Sequence, residues 1–151
     1  MGDAVKSLRL LTYRKEIAVK QVVIRQVKSL SMSCDKIGNL LLAKFSSQGA
    51  SDTMIQIPAT IVFWLLKHLP INQDPTLAPP PMGPPITQAD WDYRGTPLAH
   101  RVDAKEFRDA IRLTFILNAK QDLTVVLNRS NVEMLRQVMM HYRNDLIDLD
   151  A

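Results

Sequence analysis

Two stretches of this chain carry one order of elements: strand, turn, strand, turn, helix. That order constrains the architecture more than any other feature. The clearer copy runs from Ala110 to about Leu146. Ile111, Leu113, Phe115 and Leu117 fall on one face, with Arg112, Thr114 and Asn118 on the other. A period of two marks a half-buried strand, because successive side chains point to opposite faces. Ala119-Lys120-Gln121-Asp122 turns the chain, and Leu123, Val125 and Leu127 alternate back between Thr124 and Asn128. Ser130 followed by Glu133 has the spacing of a capping box, in which each side chain caps the other residue's amide. It predicts a helix opening there, with Val132, Leu135, Met139, Tyr142, Leu146 and Leu149 on its apolar side.

The earlier copy runs from Gly38 to Leu69. Leu41, Ala43 and Phe45 alternate with Leu40, Leu42 and Lys44, and Gln48-Gly49-Ala50-Ser51-Asp52 supplies a turn. Thr53 to Ile57 returns as a short strand. Pro58 suits a helix start, where its missing amide is not needed. Residues 59 to 69 are apolar nearly all round, which predicts a buried helix stopped by Pro70. The two copies match in pattern rather than in residue identity, so common descent is left open.

Upstream, Leu30, Met32 and Cys34 interleave with serines, and Asp35-Lys36-Ile37-Gly38 turns that strand into the next. Ile17 to Val27 is rich in β-branched residues and reads as a long strand, with Ser7 to Tyr13 as a further one. The expected fold class is α+β: a mostly antiparallel sheet of about six or seven strands covered by two helices. At 151 residues the chain fits a single domain. Its expected parts are basic N-terminal strands (1–37), a first ββα unit (38–69), a Pro-rich linker (70–98) and a second ββα unit (99–151). A chain of this length buries about two-thirds of its unfolded surface.

The single cysteine excludes an internal disulfide and fits a reducing compartment. The first residues lack the apolar core of a secretory signal, and Lys6 stands where a myristoylation signal wants Ser or Thr. The longest apolar run is too short to span a membrane, which takes roughly 20 apolar residues. The expectation is a cytoplasmic protein that makes no membrane contact.

Charge is unevenly placed. Residues 1 to 28 carry a net +5 of the chain's total of +4. A nucleic-acid surface would use Arg9, Tyr13, Arg14, Lys15, Lys20, Arg25 and Lys28. Only Tyr13 interleaves with these bases, fewer aromatics than a stacking platform uses. Seven of the nine prolines lie between Pro70 and Asp90, a composition that favours polyproline II and a semi-rigid connector. Pro81 and Pro84 have PxxP spacing without a flanking base. Trp91, Tyr93 and Arg94 follow directly. They either pin the linker to the body or serve as anchors for a partner, since Trp, Tyr and Arg dominate interface hot spots. Arg129, Arg136 and Arg143 recur every seven residues along the second helix. They suit an acidic protein surface. The simpler reading is a solvated face in which Glu133 meets Arg136 and Gln137.

Phosphate-cradling, serine-hydrolase and zincin motifs are absent from the sequence. His68, His100 and His141 lie far apart, and one cysteine cannot build a structural zinc site with them. Cys34 falls in register with Leu30 and Met32, so a structural thiol is a simpler reading than a nucleophile. Asp103 with Glu106, and Asp90 with Asp92, read as solvated charges beside Arg101, Lys105 and Arg94 rather than as catalytic pairs. The sequence therefore points to a non-enzymatic protein-interaction module of adaptor, chaperone-like or inhibitor type, without cofactor or metal. Nucleic-acid binding through the N-terminal strands is the alternative. A homodimer through the second helix is a minority reading. A small chain without catalytic signature also fits an accessory bacterial or phage protein.

Overall fold

The computed structural model describes residues 20–47, 49, 51–70, 83, 85–118 and 121–147. The expected strand at Ser7 to Tyr13, the PxxP pair and Leu149 lie outside them. The fold is α+β, with seven strands and three α-helices among the described residues. They run β1 (Lys20–Ile24), β2 (Ser29–Cys34), β3 (Leu40–Ser46), β4 (Thr53–Pro58), α1 (Ala59–His68), α2 (Gln88–Asp92), β5 (Ala99–Glu106), β6 (Ala110–Leu117), β7 (Gln121–Asn128) and α3 (Arg129–Tyr142). A 3-10 turn at Arg143–Asp145 follows. Strand, strand, helix thus occurs twice, as β3-β4-α1 and as β6-β7-α3.

The strands form two sheets where the sequence pattern suggested one. A three-stranded antiparallel sheet has the order β2-β3-β4, and a four-stranded sheet has the order β1-β7-β6-β5. They touch at one bridge, Gln56 with Leu98, where the Gln56 amide donates to the Pro97 carbonyl at 2.9 Å. Pro97 has no amide to return, so it cannot extend a ladder there. The four-stranded sheet is mixed, because β1 runs parallel to β7 with Val22 opposite Leu123. No hairpin links those two strands, so nothing local imposes an antiparallel pairing.

The strands turn their large apolar residues inward. Leu41, Phe45, Ile55, Ile57, Leu113, Phe115, Leu123 and Leu127 are all buried, and one apolar cluster joins both sheets to the helices. Burying such a side chain fully contributes about 1.5–3 kcal/mol. α3 packs on β2, β6, β7 and α1. The structure corrects two helix expectations. α3 opens at Arg129, not Ser130, because the Asn128 side chain accepts from the Asn131 amide at 2.8 Å. Asn caps a helix as well as Ser does. α1 is not buried all round: Ile61, Val62 and Leu65 face the core, but Trp64 is 37% exposed and stacks on His68 at 4.2 Å.

The chain around Gly83 and Asp90 lies against the outer side of the three-stranded sheet. The Gly83 amide donates to the Leu30 carbonyl at 3.1 Å. A Cβ at Gly83 would press on the Ser29 and Ser31 hydroxyls. Asp90 pairs with Lys44 at 3.5 Å, and Leu42 on the same face is 1% exposed. No helix among the described residues is long and apolar enough to cross a membrane.

Candidate functional site

β5 is the element whose sequence gave least warning of a strand. Only Ala99 and Val102 are buried, and every residue from Asp103 to Asp109 is exposed. It pairs with β6 on one side, with Asp103 opposite Thr114 and Lys105 opposite Arg112. Beyond the bridge at Leu98 its other side has no strand neighbour among the described residues. An unpaired edge presents a row of free amides and carbonyls, which is a template for another strand.

At the end of this edge the β5–β6 turn is closed by the Phe107 amide, which donates to the Ala110 carbonyl at 2.8 Å. Phe107 stands 46% exposed, with the Lys105 ammonium and the Arg112 guanidinium each 5.4 Å from its ring centre. Large exposed aromatic side chains are unusual in a tight turn. This one sits on the wall of a cleft of about 350 Å³ between the turn and the first turns of α3. Ala110, Ile111 and Val132 supply its apolar lining, and Arg108 and Arg129 also line it. Glu133, deeper in, is already engaged. Its Oε1 lies 3.6 Å from the Arg136 Nε, and its Oε2 accepts from Gln137 at 3.0 Å. The Glu133–Arg136 and Glu133–Gln137 contacts are the ones the helical spacing predicted.

The arginine stripe therefore separates into three roles. Arg129 reaches the cleft, Arg136 is half-buried in its internal ion pair, and Arg143 is exposed past the helix end. Arg129 and Arg143 stand about 20 Å apart along the axis at 1.5 Å per residue. Of the linker residues, Trp91 is half-buried, whereas Tyr93 is 60% exposed and Arg94 is exposed. Next to them an ion pair, Asp90 with Lys44 at 3.5 Å, ties the segment to β3. Thr87 and Asp90 cap each other's amides at the start of α2, and the Thr87 amide, helped by Lys44, holds the Asp90 carboxyl below its usual range. Asp90 thus meets the three-stranded sheet at Lys44, and Trp91, Tyr93 and Arg94 do not line the cleft.

Of the basic N-terminal residues, Arg9, Tyr13, Arg14 and Lys15 lie outside the described residues, and only the backbone of Lys20 is described, in β1. Arg25 and Lys28 are exposed on the loop after β1 and line a second depression of about 400 Å³. Cys34 is half-buried, and burial, then Asp35 and Asp145, push its thiol up from the ordinary value. A raised thiol pKa leaves little nucleophilic thiolate at neutral pH. Among the described residues no group of three or more His, Cys, Asp or Glu is placed to hold a metal ion.

The sequence pointed to Arg129 but not to Phe107, Arg108 or the β5 edge. The available signal was Phe107 itself, a large apolar residue in a run of alternating charges. No family model, curated protein or solved structure matches this chain.

Proposed function

We propose that this chain is a non-enzymatic protein-interaction module, of adaptor, chaperone-like or inhibitor type, that docks an extended segment of a partner along β5. The observation that carries this reading is the conjunction of a strand edge unpaired among the described residues with an exposed Phe107 and a cleft of mixed apolar and basic lining at its end. Strand addition works in this way. Main-chain hydrogen bonds along the edge give affinity, and a neighbouring pocket that takes a side chain gives specificity. Arg108 and Arg129 at the cleft favour an acidic group on the partner beside the inserted apolar side chain. Behind the edge, the two strand–strand–helix units and the linker between them serve as scaffold. A cytoplasmic setting belongs to the same proposal.

The test is affinity capture from cell extract with the native chain and with Phe107→Ala and Arg129→Glu. A partner retained by the native chain and lost by both variants, with unchanged melting temperatures, supports the reading. Equal retention by all three sinks it.

A second reading rests on Arg25 and Lys28, exposed on one loop that follows the strongly basic first residues. This surface would bind nucleic acid through phosphates. Its affinity for a fluorescent oligonucleotide would then fall steeply with salt. Absence of binding at low salt removes this alternative.

A further inference from the structure

We propose that β5 pairs with β5 of a second copy of this chain, antiparallel and centred on Ala104, making one continuous sheet across a two-fold axis. The inference rests on the reading of the β5 edge as a docking edge, and it names a partner. Arg101, Asp103 and Lys105 share the outward face of β5 and alternate in sign. In an antiparallel pair about a two-fold axis, residues equally far from the centre stand opposite each other on the same face. Centring on Ala104 sets Asp103 opposite Lys105 of the partner subunit, twice by symmetry. It also brings Arg101 opposite the partner's Phe107. A protective edge carries a row of one sign, which repels its own copy. This row attracts it.

The fold also shows a deficit that this pairing removes. Lys105 stands directly opposite Arg112 on β6, a like-charge pair, which is destabilising in a sheet. Neither cation has a carboxylate within ion-pair distance among the described residues; both lie by the Phe107 ring. Asp103 of the partner subunit places a carboxylate beside them. Asp103 itself is 62% exposed at the side chain and its Arg101 contact is at 3.5 Å, so it is free to turn. The register follows from β4. Centring on Val102 would carry the pairing back to Ala99, next to the Leu98 bridge, where β4 already lies. Centring on Asp103 would set like charges opposite.

Sedimentation velocity over a series from low micromolar to near-millimolar protein tests this, because so short an edge forms a weak dimer. The native chain should show a concentration-dependent dimer. Asp103→Lys and Lys105→Asp should each weaken it about tenfold, as like charges then face each other twice. The double exchange Asp103→Lys with Lys105→Asp should recover the native constant to within about threefold, since opposite signs face again. Circular dichroism melts confirm that each variant folds. A native chain that stays monomeric overturns the proposal, as does a double exchange no better than either single one. A monomeric chain that still loses a captured partner with Phe107→Ala overturns self-pairing alone. Loss of both results overturns the docking edge with it.

Discussion

Phe45 of β3 and Phe115 of β6 meet with ring centres 6.5 Å apart and planes tilted at 43°, and the two rings come from different sheets. Both are essentially inaccessible. Among the described residues the sheets share one backbone bridge, so side-chain contact of this kind carries much of what joins them. Replacing either by Ala should cost about 3–5 kcal/mol in urea unfolding. The double variant should show a coupling of roughly 0.5–1.5 kcal/mol beyond the singles. Strict additivity would mean that the sheets do not depend on this contact.

Gly38 closes the β2–β3 turn with φ at +84°, and the Asp35 carboxylate collects the amides of Gly38, Asn39 and Leu40. The same glycine touches the chain end of the described region. Ile147 donates its amide to the Gly38 carbonyl, and a Cβ at position 38 would run into the Asp145 carbonyl. Gly38→Ala should therefore destabilise by about 1–3 kcal/mol, from left-handed strain and displaced backbone together. Amide exchange at Ile147 should accelerate in this variant. Unchanged protection there would show that the contact is not maintained in solution.

What the residues made legible, and what they did not, follows from burial. β6 and β7 bury one face, so their alternation is strong: Ile111, Leu113, Phe115 and Leu117 all lie inward as read. β5 buries almost nothing past Val102, so no period of two could announce it, and its unpaired edge went unseen with it. Ile17 to Val27 looked like one long strand because β-branched residues are dense there. Only Lys20–Ile24 pairs among the described residues; Val27 instead gives its carbonyl to the Asn131 side chain at 3.1 Å. The bridge between the two sheets is flanked by Pro97 and Pro58, neither of which has an amide to extend it, and neither is a clue until the chain beside it is known.

The helix cap separates two readings of the same six residues. Asn128 caps the Asn131 amide, while Glu133 bonds Gln137 rather than reaching back to Ser130. Asn128→Ala should cost about 0.5–2 kcal/mol, and Ser130→Ala should stay within about 0.5 kcal/mol. Chemical denaturation of both variants decides it. A larger loss at Ser130 would restore the capping box that the sequence suggested.

The Asp90–Lys44 pair ties the segment after the prolines to the sheet. The Asp90 carboxyl is held below its usual range, chiefly by the Thr87 amide. Its contribution is therefore present above the ordinary carboxylate pKa and is lost as pH falls through the lowered value. Asp90→Ala should expose residues 83–98 to limited proteolysis with little change in melting temperature. At acid pH the native chain should be cut in the same place. Cutting elsewhere first would show that other contacts hold the segment.

At the opposite end of the pH scale the sign reverses. Burial raises the Cys34 thiol and the Tyr142 phenol, and Asp145 adds to both. Tyr142 also donates to the Met32 carbonyl at 3.1 Å, linking α3 to β2. Both groups favour their neutral forms in the fold, so the unfolded chain ionises first. Their contribution is complete below the unfolded pKa values, about 8.5 for a thiol and about 10 for a phenol, and is lost as pH rises through the raised ones. The urea midpoint should decline above roughly pH 8.5. Cys34→Ser should shift the onset of that decline upward toward the phenol's range, and Tyr142→Phe should lower the midpoint at neutral pH by removing a hydrogen bond worth about 1 kcal/mol. A midpoint that is flat to pH 10 in the native chain would mean that neither group is shielded from water in the way the packing of α3 on β2 requires.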